Sequence, residues 1–315
     1  MNQDRAAERP TSFSLRAWRD VLVRTWNESS RDNIGLVAAG ISFYVFLALL
    51  PLMAAIVLLY GLIADPQTVI AHVREFSGAM PLEAAVFLAE QLMYVVTTAA
   101  EKKGLGLLTA LLLSLFSARA AAGAIISALN IAYEEEEKRG FITVNLAALG
   151  ITLGGALFCV AGLLTASSLA FLEDLASGIP GFGLVLAKIA SGLVSALSVG
   201  LVALFLYKFG PCRARPRLVW VIPGAVFFAV VWTGLTVGFG VYVSHFSNYG
   251  ATYGSLATIV VFLTWIYAAS YALLLGAELN AELEHETARD STTGPERPIG
   301  TRRAWVADHT PEMPG

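Results

Sequence analysis

Long apolar stretches alternate with short polar connections along this chain, and the stretches predict the architecture. No charged side chain occurs in residues 34–63, 141–172, 218–244 or 254–277, and each run exceeds the roughly 20 residues that cross a bilayer core. Two further stretches, 104–126 and 182–207, are broken by one cation each, Arg119 and Lys188. These runs are apolar on every face, unlike the segments of about 10 residues with alternating polarity that build a membrane β-barrel. The pattern therefore predicts an all-α fold: a polytopic membrane helix bundle with six spans at 34–63, 104–126, 141–172, 182–207, 218–244 and 254–278.

Around the membrane domain, residues 34–284, the pattern changes. In the N-terminal segment, residues 1–33, "SLRAWRDVLVRTWNESSRD" places Leu15, Trp18, Leu22 and Trp26 on one helical face, with Arg16 and Arg24 away from it. Two readings fit this amphipathic helix: it lies on the inner membrane surface, or it packs on the bundle as a soluble helix. Asp32 and Asn33 have the short polar side chains that open helices. The connection 65–103 carries Leu82, Val86, Ala89, Met93 and Val96 at helical spacing behind Pro81, which predicts an outer-side helix. Residues 285–315, rich in Pro, Gly, Thr and charge, are expected to form a disordered cytoplasmic tail.

Composition agrees with a membrane protein: 56% of the 315 residues are hydrophobic and 14% charged, with a mean hydropathy of +0.66. No cleavable leader is visible, so the first span is expected to act as its own targeting signal. The net charge of -3 adds less than its distribution. Six arginines precede the first span (Arg5, Arg9, Arg16, Arg19, Arg24 and Arg31), and Lys138 and Arg139 follow the second. Lys208, Arg213, Arg215 and Arg217 follow the fourth, and four arginines lie in the tail. By the positive-inside rule both termini are expected in the cytoplasm of a bacterial cell, with the bundle in the inner membrane.

The polar residues offer little catalytic chemistry. Glu278, Glu282 and Glu286 end the sixth span at four-residue steps, and Glu282 with His285 has the Glu-x-x-His spacing of carboxylate metal bundles, but those need a second such pair on a facing helix. The four histidines (His72, His245, His285 and His309) fall in separate segments, and Cys159 and Cys212 lie at different depths. No metal, cofactor or catalytic site is expected. The acidic run Glu134 to Glu137 reads as a solvated loop, with a partner or cation site as the alternative. A nuclease would need a basic groove with interleaved aromatics and metal-binding acids, so no nucleic-acid partner is expected.

Polar residues within the spans are the remaining candidates. If the second span ends near Ile126, Arg119 lies about 10 Å from its inner end. A buried cation there needs a partner, and Glu278 is the first candidate and Asn145 the second. The alternative is that Arg119 snorkels to the headgroups. Pro51 is expected to kink the first span. The pairs Gly150/Gly154, Ser191/Ser195 and Gly234/Gly238 predict close helix packing.

Several stretches resemble the YihY/virulence factor BrkB family of bacterial inner-membrane proteins. They are "AAGISFYVFLALLPLM" (38–53), "ALNIAYEEEEKRGF" (128–141), "WVIPGAVFFAVVW" (220–232) and, most specifically, "YGATYGSLATIVVFLTWIYAASYALLLGAELNAE" (249–282). The resemblance implies a six-span bundle with both ends inside, and Gly276 and Asn280 fall in its Gly-Ala-Glu-Leu-Asn pattern. The family was long labelled ribonuclease BN, a role for which these residues provide no centre; its association with virulence and the handling of amphiphiles suits a membrane bundle better. The expectation is a non-enzymatic protein in contact with membrane lipids, a candidate transporter or flippase of a lipid-like or small amphiphilic substrate. A ribonuclease and a scaffold for partner proteins are the alternatives.

Overall fold

In lipid a chain must satisfy its backbone polar groups internally, so the apolar runs fold as long helices. The computed structural model describes residues 3–60, 105–152, 154, 182–245 and 255–311. They form α1 (Leu15–Arg31), α2 (Ile34–Tyr60), α3 (Leu105–Ala132), α4 (Phe141–Thr152), α5 (Phe182–Phe209), α6 (Leu218–His245), α7 (Ser255–Glu286) and a short α8 (Trp305–Asp308). Among the described residues there is no strand, and the one isolated bridge joins Pro216 to Thr292.

Helices α2 to α7 fall on the six expected spans. Among the described residues, α3, α5, α6 and α7 are long and apolar enough to cross a membrane, and α1 with the start of α2 forms a fifth candidate bent by 64°. The continuation of α4 and the whole 65–103 connection lie outside the described residues. The outer surface supports a lipid environment: Val185, Ile189, Leu193, Leu197 and Leu201 stand exposed at four-residue steps down one face of α5. Soluble proteins rarely expose so continuous an apolar stripe.

Three expectations change. Helix α3 runs to Ala132, six residues past the expected end, because Ile126, Leu129, Ala132 and Tyr133 keep the buried face going at helical spacing. Helix α1 packs on α7, but through Ala17, Val21, Thr25 and Ser29 rather than the bulky face. Small side chains permit that close approach, while Leu15, Leu22 and Trp26 stay exposed. The expected cap of α2 is made by backbone: the Asn33 carbonyl accepts from Leu36 and Val37. Asn33 itself has φ 51, a left-handed conformation that asparagine tolerates.

The segment expected to be disordered is ordered through residue 311. The Arg302 side chain, buried beneath it, donates to the carbonyls of Arg297, Arg289, Ala307 and Ala288 at 2.7–3.1 Å. Backbone bonds from Arg217 to Ser291 and from Thr293 to Arg215 stitch the segment to the α5–α6 loop. Apolar burial adds to these bonds: Val306 is 2% exposed and belongs to the main core, with Trp305 packed against it. At the same end, the backbone N–H of Ala288 donates to the Arg5 carbonyl, so both termini meet.

Helix α7 packs against α1, α2, α3 and α6. Its tightest crossing is with α6, where a Cβ added at Gly224 would overlap the Gly276 carbonyl and the Asn280 amide. One added at Gly276 would overlap the Tyr207 hydroxyl. Pro223 has no N–H to offer the helical ladder. Beside it, the Gly224 N–H donates to Asn280 Oδ1 at 2.7 Å, and Asn280 Nδ2 donates to the Val221 carbonyl at 3.2 Å. The Tyr207 hydroxyl donates to the Leu273 carbonyl at 2.7 Å, adding α5 to the crossing. By contrast, among the described residues a Cβ at Gly150, Gly234 or Gly238 would meet nothing within 4 Å, whereas at Gly154 it would touch the Phe205 ring at 3.2 Å.

Asn280→Ala strands a buried donor and a buried acceptor and should cost about 2–4 kcal/mol. Gly224→Val should prevent assembly of the bundle. Gly234→Ala should change stability by less than about 0.5 kcal/mol. Thermal unfolding of the three variants in detergent checks the order.

Candidate functional site

The polar chemistry gathers where the termini meet, beginning with the last two turns of α7. Residues four apart share a helical face, so Glu278, Glu282 and Glu286 point toward α1 and its bend, while Glu284 points toward the α5–α6 loop. Arg24 of α1 spreads its guanidinium between two carboxylates, Nε to Glu282 at 2.5 Å and Nη2 to Glu286 at 2.6 Å. His285 Nδ1 stands 3.9 Å from Glu282. Glu278 is 2% exposed and lies beside Asp32 at the α1–α2 bend.

On the other face, Arg213 Nη2 meets Glu284 Oε2 at 2.5 Å, with both side chains essentially without solvent contact. The Ser291 hydroxyl donates to the same oxygen at 2.6 Å, and the guanidinium stacks 4.9 Å from the centre of the Tyr133 ring. A buried pair of this kind adds little net stability, but removing one partner leaves an uncompensated charge. It fixes the α5–α6 loop against α7.

Arg119 and Glu278 do not meet. Because α3 continues to Ala132, Arg119 lies about 20 Å from the end of its helix, whereas Glu278 is about 12 Å from the end of α7. Arg119 is exposed and its Nε donates to Asn145 Oδ1 of α4, the second expected candidate. Asn145 in turn donates to the Phe141 carbonyl at 2.6 Å. Asn280 proves to be the α6–α7 clamp, and α2 continues as helix through Pro51.

Beside these networks opens a cavity of about 1690 Å³, bounded by α4, the end of α5 with its following loop, and the C-terminal segment. Leu146, Ala147, Ile151, Phe205 and Phe209 form an apolar wall. Lys208, Arg215, Arg297 and Arg303 stand around the opening, and among the described residues none of the four pairs with a carboxylate. Lys208 and Arg215 instead flank the Phe209 ring, 5.7 and 5.1 Å from its centre.

The acidic run lines part of the same cavity, and its members differ. Burial pushes the Glu135 carboxyl above its ordinary range, opposed by a hydrogen bond from the Trp305 N–H. Glu137 is held down to about 2, first by hydrogen bonds from the Arg139 side chain. Arg139 Nε and Nη2 donate to its two oxygens at 2.7 and 2.6 Å, and Asn130 Nδ2 adds a third bond at 3.0 Å. Asn130 Oδ1 accepts from the Cys212 N–H at 2.7 Å. Glu137 thus joins the end of α3 to the α5–α6 loop instead of being a free loop residue.

Long apolar helices with a lipid-ready surface, closed at one end by charged networks, define a polytopic membrane protein. The chain belongs to the virulence factor BrkB family, whose model matches residues 25–300. It is 32% identical over 252 residues to the ribonuclease-like protein YfkH of Bacillus subtilis, covering 78% of this chain and 88% of that one. It is 28% identical over 271 residues to a UPF0761 membrane protein of Pseudoalteromonas translucida, covering 84% and 86%. A UPF0761 membrane protein of Aeromonas salmonicida is 28% identical over 263 residues, with 81% and 86% covered. No solved structure matches the chain.

Because the folded-state pKa of Glu137 lies below its ordinary value near 4.5, its contribution to stability is present above that value. It is lost as pH falls through about 2. The stability difference between the native protein and Glu137→Gln should therefore be constant near neutrality and shrink as pH falls below about 4.5. Unfolding midpoints measured from pH 7 to pH 3 in one detergent check this.

Proposed function

We propose that the protein is a non-enzymatic transporter or flippase of an anionic, lipid-like amphiphile. In this reading it sits in the bacterial inner membrane with both termini in the cytoplasm. The cavity carries the reading. Its apolar wall comes from α4 and α5, which suits hydrocarbon, while its unpaired cations suit a phosphate or carboxylate headgroup. The exposed Leu22 and Trp26 face of α1 at the same end suits the interfacial zone of the membrane.

The name of YfkH keeps a ribonuclease in view as the second reading. An apolar wall offers nothing to the ribose-phosphate chain, and five acids, Asp32, Glu134, Glu135, Glu136 and Asp308, line the same cavity as the cations. Both features favour a compact amphiphile over a polyanion.

Purified protein in liposomes should speed the exchange of fluorescent phosphatidylglycerol between leaflets relative to protein-free vesicles. The double variant Lys208→Gln/Arg215→Gln should slow that exchange about tenfold, the scale of a lost charge-assisted contact. Exchange no faster than in empty vesicles, or hydrolysis of RNA by the same preparation with divalent metal, would overturn the proposal.

A further inference from the structure

Where the α1–α2 bend meets the turn after α3, three carboxylates converge from distant parts of the chain. Glu28 lies on the last turn of α1, Asp32 at the bend and Glu134 just past α3. One oxygen from each lies within 4.8 Å of the others. Acids crowd on many surfaces without consequence, so the group that stands behind them decides the matter. Glu278 reaches this cluster from α7 and lies beside Asp32. It is 2% exposed, and its Oε1 is buried without a hydrogen-bond partner.

A buried carboxylate oxygen without a partner carries the full cost of its desolvation. Neighbouring cations do not relieve it. Arg24 is engaged by Glu282 and Glu286, and Arg31 holds Glu28 Oε1 at 2.6 Å, which leaves the second oxygen of Glu28 free of that pair. We infer that Glu28, Asp32 and Glu134, backed by Glu278, form a binding site for a hard divalent cation.

The donors are all carboxylate oxygens, the set that calcium, manganese and magnesium take and that softer metals do not favour. Size ranks the three. An ion centred among oxygens no more than 4.8 Å apart lies at most about 2.8 Å from each, a few tenths beyond the 2.3–2.6 Å of calcium and well beyond the 2.0–2.1 Å of magnesium. Calcium requires the smallest contraction. Bound there, the ion would join three separate places: the 64° bend, the α3–α4 turn and the end of α7. It would replace like-charge repulsion at the bend with a common partner.

The test uses the full chain in detergent, stripped with EDTA and dialysed, with thermal unfolding followed against added calcium, manganese or magnesium. Expected is a saturable rise in midpoint that reaches half its value at a lower concentration for calcium than for magnesium. The double variant Asp32→Asn/Glu134→Gln should weaken this at least about tenfold, as loss of charged ligands implies. In EDTA the same variant should unfold at the same or a higher temperature than the native protein, because two repelling charges are gone; this separates lost binding from lost folding. Glu28→Gln alone should weaken binding and keep the fold, while Glu136→Gln, outside the cluster, should leave binding unchanged. No saturable shift with any of the three ions overturns the site. So does a shift that survives the double variant or that is equally lost in Glu136→Gln.

Discussion

The contact between Gly224 and Gly276 sets the register of everything at the polar end. Two helix backbones touch there because neither carries a Cβ, and Asn280 bridges the place where Pro223 interrupts the hydrogen-bond ladder of α6. Once α7 is fixed at that depth, its four carboxylates have assigned positions within about three turns of the crossing. Glu278 reaches the α1–α2 bend, Glu282 and Glu286 reach Arg24, and Glu284 reaches Arg213. A slip of α7 by one residue would turn each acid by about 100° around the axis and separate it from its partner.

This arrangement explains a helix that is apolar for most of its length and then acidic. In lipid, apolar side chains distinguish poorly between alternative helix registers, since hydrocarbon solvates all of them alike. Charged pairs distinguish well, because each wrong register leaves an ion unmatched. The fully buried Arg213–Glu284 pair contributes position more than free energy. The apolar spans supply insertion, and the charged end supplies uniqueness.

How far these features could be read from residues alone depended on which force produced them. Burial in lipid has one signature, an unbroken apolar run, and so the positions of α2 to α7 were legible. The Gly276 and Asn280 pattern was visible too, although the chain alone did not say that Gly224 and Pro223 faced it. Arg119 was matched to the wrong partner because the charge pattern does not mark where α3 stops: the acidic run after Ala132 begins about two turns past Ile126. The choice of face on α1 was hidden for a related reason, since small residues that permit close packing are weaker signals than exposed leucine and tryptophan. The C-terminal segment was misread because Arg302 bonded to four carbonyls and Val306 buried in the core order it, and its composition marks neither.

Arg24 and its partners Glu282 and Glu286 lie about 260 residues apart in sequence, separated by 258 and 262 positions. A ribosome adding about 5–20 residues per second leaves Arg24 without its carboxylates for roughly 13–50 s, until the last helix has been delivered. Every earlier helix therefore enters the membrane while the amino-terminal helix is still unanchored at its charged face. Closure of the polar end therefore waits for α7, and a chain truncated before α7 leaves Arg24 without either of these carboxylates.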